Sequence, residues 1–219
     1  MADVLPGYTW DTRLSRYRDA ATGRLVGRNT VVTLLEQRVD ATQARLGDLA
    51  KAFQSGTLAP AVWAVQMREE LKQAHLQNIA LAKGGWDRLT QADYGRVGAA
   101  VKQLYPKIAG TAADVQAGTV TLPQLQTRLN DYLGSARRLY YQAEREGLPA
   151  VPGEVTLERR TLAAGAQHCG DCIDYAGRGW QPLGTLPVPG QACQCTGHCR
   201  CSIQYRTVPA DEAGEWIGR

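Results

Sequence analysis

Apolar residues, with one threonine among them, recur every three or four positions over a long stretch of the first half of the chain. They are Val32, Leu35, Val39, Thr42, Leu46, Leu49 and Phe53. Residues at these spacings share one helix face, so the stripe predicts a helix of about six turns with a single packing seam. Asn29 before the stripe is a favourable N-cap, and Ser55-Gly56 after it favours a helix end. The seam requires a second helix, from this chain or from a neighbouring one.

The same periodicity predicts further helices. Pro60 suits the first turn of a second helix, and Gly84-Gly85 favours its end. Thr90 is a suitable cap for a third helix, which Pro106 is expected to end or kink. The predicted ranges are 60–83, 91–105, a short segment over 107–117, and 122–146. Helices of this length with short connections are typical of a bundle, so the predicted fold class is mainly α.

Two stretches without helical periodicity flank this helical body. Residues 1–28 contain one proline, three glycines and five arginines without a clean period, which predicts an extended or irregular N-terminal arm. Residues 147–153 contain two prolines and two glycines, which do not continue a helix. Apolar residues around Val155 and Ile203 indicate short strands beyond that point. The predicted organisation is an arm over 1–28, a helical body over 29–147 and a small cysteine-rich α+β module over 148–219.

Composition excludes some classes of protein and leaves others open. The chain of 219 residues has a net charge of +4, with 19 basic and 14 acidic side chains in residues 1–150 and 6 and 7 in the remainder. This excess is too small and too dispersed to indicate nucleic-acid binding by itself. No stretch approaches the roughly 18 apolar residues of a membrane span, and the N-terminus lacks the apolar segment of a signal peptide. Cysteines in a chain without a secretion signal are more readily interpreted as metal ligands than as disulfides.

The cysteines are the most informative residues. All six lie between positions 169 and 201, after 168 residues that contain none. They form one C-x-x-C pair and two C-x-C pairs. Such short spacings let one turn present two thiolates to one ion, which is how tetrahedral zinc is bound. The predicted zinc ligands are Cys169, Cys172, Cys199 and Cys201, with Cys193 and Cys195 as alternates.

Other interpretations of these residues remain open. The loop between the cysteine pairs is rich in glycine and proline, so it needs a cross-link to hold one conformation. Disulfides are the alternative to a metal as that cross-link. Reduced thiols without a metal are a third possibility. His168 and His198 adjoin cysteines, where approach to the same ion is strained, so both are interpreted as flanks. A redox-active C-x-x-C is disfavoured, because that motif normally lies between a strand and a helix, whereas Cys172 is soon followed by glycines.

This order of motifs resembles the phage head-morphogenesis family, the minor head proteins related to that of phage Mu. Its members commonly end C-x-x-C … H-P-x-C-R-C, and the matching residues here are Cys169, Cys172, Cys199, Arg200 and Cys201. The family's histidine falls on Thr196, so this sequence departs from the pattern there, and the neighbouring Cys195 is the candidate replacement. The resemblance covers about 50 residues, 169–219, and extends to the helical body only in general character.

The resemblance implies a structural virion protein, assembled in the host cytoplasm, that binds portal, capsid or head-to-tail proteins in several copies per particle. The alternative from a different class is a zinc-dependent nucleic-acid-binding module. Its candidate DNA contacts are Arg137-Arg138 and, more favoured, the arginines between positions 13 and 28, with Tyr8, Trp10 and Tyr17 among them to stack on bases. A toxin-like processing enzyme is a weaker third possibility.

No enzyme activity is predicted from the remaining polar residues. The sequence contains no Ser-His-Asp arrangement, phosphate-binding loop or HExxH motif. Asp171 and Asp174 resemble a carboxylate pair but have no nucleophile beside them. His75 is interpreted as a residue at the edge of the second helix.

Overall fold

The computed structural model describes residues 4–219, so the first three residues of the predicted arm lie outside the described residues. The fold is mainly α, as the sequence predicts. Five helices form its body: α1 (Arg28–Gln54), α2 (Pro60–Lys83), α3 (Gln91–Lys102), α4 (Tyr105–Gln116) and α5 (Leu122–Glu146). Within residues 4–219, no helix combines the length and the apolarity that crossing a membrane requires.

The seam of α1 is covered by helices of the same chain. Leu35, Val39, Leu46 and Phe53 are all buried, and they face α2 and α5. The Phe53 ring stacks on the indole of Trp63 in α2, with the ring centroids 4.5 Å apart. Because the stripe is buried internally, it is not a surface on which a partner protein can dock.

The helix ends show which local signals in the sequence are reliable. Thr90 accepts a hydrogen bond from the backbone N–H of Asp93, and the Asp93 carboxylate accepts one in return from the backbone N–H of Thr90, which completes a capping box. Asn29, by contrast, lies inside α1, and the N-cap position is Gly27. Pro106 begins α4 and does not end α3, because a proline in the first turn of a helix sacrifices no internal hydrogen bond.

The N-terminal segment is not the extended or irregular arm that the sequence predicts. Strands β1 (Tyr8–Asp11) and β2 (Arg16–Asp19) form an antiparallel hairpin. The hairpin packs on the bundle, since the buried Tyr17 hydroxyl donates a hydrogen bond of 2.8 Å to the carbonyl of Leu81. Trp10 lies so close to Gly84 that a Cβ there would overlap its indole ring. The strands are only four residues long, too short for a clear alternating pattern, and the bundle provides the surface that orders them.

The C-terminal region is a small antiparallel sheet with helical connections. Its strands β3 (Glu154–Thr161), β4 (Gln181–Pro182) and β5 (Ser202–Pro209) lie in the order β4-β3-β5. The prediction of strands around Val155 and Ile203 is confirmed. Helix α6 (Gly170–Gly177) lies between β3 and β4, and the short α7 (Ala213–Trp216) follows β5.

This region is packed directly on the helical body. Val188 and Ile203 are fully buried and belong to the same apolar core as the bundle. Gly134 of α5 and Gly197 lie so close together that a Cβ on Gly134 would overlap the Cα of Gly197. The cysteine-rich region and the helices therefore share a core and a close backbone contact.

Candidate metal centre

The strand pairing of the sheet brings the cysteines together. Strands β3 and β5 pair along their whole length, so that Thr161 lies opposite Ser202. The chain leaving β3 and the chain entering β5 are therefore at the same end of the sheet. Cys201 immediately precedes β5, whereas the segment after β3 leads into α6, which has Cys169 at its N-cap and Cys172 in its first turn.

The loop that carries the other cysteines is fixed in place by α6. The Tyr175 hydroxyl donates a hydrogen bond of 2.7 Å to the carbonyl of Ala192. The Asp171 carboxylate accepts a hydrogen bond of 2.9 Å from the backbone N–H of Gln194. A 3-10 turn, Thr196–His198, then leads to Cys199. Although this loop is rich in turn residues, it is thus held at several points.

The six sulfurs form one cluster made of two overlapping groups. In the first group, the Sγ atoms of Cys169, Cys172, Cys193 and Cys195 all lie within 4.8 Å of one another. In the second group, the same is true of Cys172, Cys199 and Cys201. Cys172 belongs to both groups. The cluster can hold a metal ion, because each group brings at least three sulfurs close to one point.

The distances between sulfurs are those of ligands and not of disulfides. The Sγ of Cys195 lies 3.4 Å from the Sγ of Cys169 and 3.4 Å from that of Cys172, and Cys172 lies 3.7 Å from Cys199. All six cysteines are free. A disulfide bond would be about 2.05 Å long. Two thiolates on one tetrahedral zinc are about 3.8 Å apart, given a Zn–S bond of about 2.3 Å.

Four of the six cysteines are buried, and burial governs their protonation. Burial raises the pKa of the Cys172 thiol to about 12, and it raises that of Cys195 well above its usual range. The pKa of the Cys199 thiol is lowered to about 4, chiefly because it accepts a hydrogen bond from the Cys201 thiol. Burial alone would raise the pKa of Cys169, but backbone N–H groups of Cys172 and Cys195 donate to its sulfur and lower it to about 7. A bound cation would displace the protons that remain on the thiols.

A buried arginine that sequence reasoning did not single out faces the cluster. Arg160 of β3 is only 2% exposed, and its guanidinium donates to the Sγ of Cys199 at 3.8 Å and to the carbonyl of Pro187. Within residues 4–219 it forms no ion pair with a carboxylate. A buried cation requires a compensating charge, and the thiolates provide it. The only sequence signal was its position on a predicted strand that precedes the cysteines.

The cluster is anchored to the helical body by its backbone carbonyls. Arg137 of α5, which is buried, donates a hydrogen bond of 2.8 Å to the carbonyl of Cys199. The Tyr141 hydroxyl lies 3.4 Å from the carbonyl of Cys201. Arg200, between the two cysteines of the C-R-C motif, forms an ion pair of 2.6 Å with Glu36 of α1. The ligand-bearing loop is thus tied to two helices.

The predicted ligands are brought together, although not as one separate set of four. Cys172, Cys199 and Cys201 form a group, while Cys169 lies in the other group with the alternates Cys193 and Cys195. The C-x-x-C pair also does not lie in a simple turn, since Cys169 and Cys172 are at the beginning of α6. Sequence spacing identifies the pairs but does not show which pairs face each other across the cluster.

The two neighbouring histidines lie in different surroundings. The Nδ1 of His168 is 3.6 Å from the Sγ of Cys201, and its Nε2 is 2.9 Å from the carbonyl of Ala163. His198 instead points to α5, where its Nε2 lies 2.9 Å from the carboxylate of Asp131. His198 therefore lies beside the cluster without facing it, as the sequence interpretation has it. His168, in contrast, contacts the cluster.

The N-terminal residues proposed as DNA contacts are largely engaged within the fold. Arg18 pairs with Asp11 at 2.7 Å, and Arg28 pairs with Glu144 at 2.5 Å. Tyr17 is buried, while Tyr8 and Trp10 pack against the core. The Tyr17 ring is therefore not free to stack on bases, and the other two rings are partly covered. The geometry thus gives no support to the nucleic-acid interpretation at this position.

A cavity of about 600 Å³ lies between the hairpin, the end of α5 and the sheet. Its walls are mostly apolar and aromatic, and its charged groups are Arg16, Arg28, Glu144 and Glu154. Burial raises the pKa of Glu144, although Arg28 beside it acts in the opposite direction. Because Arg28 and Glu144 neutralise each other, the buried pair offers no free charge to a ligand.

The remaining polar candidates are accounted for by structural contacts. His75 is fully buried in α2, so its interpretation as a helix-edge residue is wrong. Asp174 pairs with Arg178 on the surface, while Asp171 holds the cysteine loop, so the two carboxylates do not act as a pair.

Comparison with known proteins adds no family assignment. No family model matches the chain, and no curated protein and no solved structure is significantly similar to it. The resemblance to the phage head-morphogenesis family is therefore carried by the motif residues alone. Those residues all lie in or beside the sulfur cluster.

Proposed function

We propose that the protein is a structural component of a phage head, a minor head protein that binds portal or capsid proteins. One observation carries the proposal: the residues that match the C-x-x-C … C-R-C pattern converge on a single cluster that is fixed to a helical body. A rigid element of this kind suits a docking role, because a partner then binds a surface that is already ordered. The protein would be located in the virion, in several copies, and no catalytic role is assigned to it.

We propose zinc as the metal of the cluster. The donors are sulfurs, four of them buried and two partly buried, and soft sulfur ligands at tetrahedral separations select zinc over calcium or magnesium. Zinc has no redox chemistry of its own, which fits a purely structural role. Disulfides are the alternative in an oxidising environment, and the separations of 3.4 Å or more do not favour them.

The docking surface is proposed on the outer side of α2. Val62 and Val65 are 45% and 56% exposed there, one helical turn apart. Tyr105 at the start of α4 is 40% exposed, and the guanidinium of Arg68 lies 4.4 Å from the centre of its ring. Exposed aromatic and aliphatic side chains beside an arginine are the composition of protein interfaces. This face is available for a partner, whereas the seam of α1 is not.

The test is binding of the zinc-loaded full chain to the portal protein encoded in the same genome. Co-expression followed by affinity purification is expected to recover a complex in which the chain is present in several copies. Val62→Asp with Val65→Asp should weaken it at least about tenfold, since two apolar contacts become desolvated charges. Val151→Asp is the matched control, because Val151 is similarly exposed (41%) but lies in the linker after α5. Failure to bind portal and capsid proteins alike would remove the proposal.

A further inference from the structure

The cluster contains more donors than one tetrahedral ion can use. The first sulfur group, of Cys169, Cys172, Cys193 and Cys195, supplies the four ligands of one zinc by itself. Cys199 and Cys201 are then left over, yet they are 1% exposed each and lie against Cys172. Two further buried sulfurs are thus placed directly beside a complete site, where they are available to a second ion.

The second sulfur group needs one more donor to complete a tetrahedral site. It contains Cys199, Cys201 and the shared Cys172, which makes three sulfurs. The fourth position is available to His168, whose Nδ1 lies 3.6 Å from the Sγ of Cys201. A nitrogen and a sulfur on one tetrahedral zinc are about 3.6 Å apart, given bonds of about 2.0–2.1 and 2.3 Å. His168 does not lie close enough to the sulfurs of Cys172 and Cys199 to belong to the second group. Its ring must therefore move slightly toward them to complete the site.

The other nitrogen of His168 is oriented as a ligand histidine requires. Its Nε2 lies 2.9 Å from the carbonyl of Ala163, and a carbonyl only accepts hydrogen bonds, so Nε2 must carry the proton. The Nδ1 atom that faces Cys201 then has its lone pair free. Metal-binding histidines usually donate their second N–H to a carbonyl or carboxylate in this way.

The charge around the second group also fits a metal–thiolate unit. Two zinc ions with six thiolates and one neutral histidine have a net charge of about −2. Arg160 donates to the Sγ of Cys199 at 3.8 Å, and Arg137 donates to the carbonyl of the same residue at 2.8 Å. Both guanidiniums are nearly inaccessible to water, and both lie on the side of the second group. Arg160 forms no ion pair with a carboxylate among residues 4–219, so its charge compensates the negative charge of the thiolates, whereas Arg137 is also paired with Glu36.

We infer that the cluster binds two zinc ions that share the thiolate of Cys172. One ion is held by Cys169, Cys172, Cys193 and Cys195, and the other by Cys172, Cys199, Cys201 and His168. Seven donors serve eight coordination positions, since one sulfur is shared. The inference rests on the proposed zinc centre and extends it by a second ion and a nitrogen ligand.

The test is the metal content of the purified full chain, measured by elemental analysis and by native mass spectrometry. We expect about two zinc ions per chain, and two separate signals in cadmium NMR after the zinc is exchanged. One zinc per chain with two titratable thiols would overturn the second site while leaving a single zinc centre intact. A chain without zinc would remove both the second site and the zinc centre of the proposed function.

Variants of the two histidines decide the role of His168. His168→Ala should reduce the metal content to about one ion per chain, or weaken the second ion at least about tenfold. His168→Cys should restore two ions, because a thiolate can replace the imidazole. His198→Ala is the matched control, since His198 also adjoins a cysteine but faces Asp131. If His168→Ala retains two tightly bound ions with unchanged helix content, His168 is not a ligand.

Discussion

At the scale of single residues, His75 is the clearest case of a side chain whose protonation is set by its place in the fold. It is fully buried, its Nδ1 lies 2.5 Å from the carbonyl of Leu71, and its Nε2 lies 2.7 Å from the Ser135 hydroxyl. Burial lowers its pKa from 6.5 to about 4, with Arg138 adding to the effect and the contact with Leu71 opposing it. The neutral ring is therefore part of the folded structure.

This depressed pKa makes the stability of the fold depend on pH. Between about pH 4 and 6.5 the unfolded chain binds a proton at His75 that the folded chain does not bind. The free energy of unfolding that the neutral ring of His75 contributes is thus fully present above pH 6.5 and is lost as the pH falls toward 4. The loss by pH 5 is about 2 kcal/mol.

The variant His75→Gln tests this contribution, because glutamine can bond to Ser135 but does not titrate. Urea unfolding of both proteins at pH 7 and pH 5 should show that the wild type loses about 2 kcal/mol more than the variant. Acid effects on the metal centre occur in both proteins and cancel in the comparison. Equal losses in the two proteins would show that the fold does not lower the pKa of His75.

At the scale of elements, the contact between α5 and the 3-10 turn Thr196–His198 depends on two glycines. Gly134 and Gly197 allow the two backbones to approach until their Cα atoms nearly touch, which no other residue type permits. The cysteines on either side of the turn, Cys195 and Cys199, are positioned by this approach. The glycine at 134 lies inside a helix, where its intrinsic propensity is poor, so its presence there is explained by packing.

Gly134→Ala should therefore destabilise the protein, although alanine is the better helix former. Overlap with Gly197 is expected to cost about 1–3 kcal/mol and to weaken metal binding as the turn is displaced. Gly98→Ala in α3 is the matched control, because nothing lies within 4 Å of a Cβ at that position. The control should stabilise the fold by up to about 1 kcal/mol. Thermal unfolding and zinc titration of the two variants check both expectations.

The elements differ in how far the sequence predicts them. Helices α2 and α5 are predicted nearly to the residue, because long periodic stripes and strong proline and glycine signals agree there. The hairpin at Tyr8–Asp11 and Arg16–Asp19 was missed, because its order comes from tertiary contacts with α2. His75 was misplaced for a related reason: α2 is covered on several sides, which a single apolar stripe does not reveal.

At the scale of the whole molecule, the cysteine-rich region and the bundle share one apolar core. Ile203 and Val188 belong to the core of the bundle, and the buried Arg137 joins the carbonyl of Cys199 to Glu36 of α1. The region over 148–219 is therefore a continuation of the helical body. The sequence could predict that the cysteines lie near one another. It could not predict how the sulfurs divide into two groups or that the cysteine-rich region packs on α5, because both follow from contacts between distant segments.

Removing the metal should consequently destabilise the entire fold. We expect a chelator to lower the Tm of the zinc-loaded protein by about 10 °C or more, in a single transition followed by circular dichroism of the helices. The variant Cys169→Ser with Cys172→Ser is the control, since a chelator should no longer change its Tm. A helical signal whose Tm is unaffected by the chelator would mean that the bundle folds independently of the cluster.

The carboxylate of Glu36 has a mechanical consequence for the molecule. It pairs with Arg137 of α5 and, at 2.6 Å, with Arg200 between two of the sulfur ligands. Glu36 thereby connects three segments that are far apart along the chain: α1, α5 and the C-R-C motif. A force that pulls on α1 is therefore transmitted through this junction both to α5 and to the segment that carries Cys199 and Cys201.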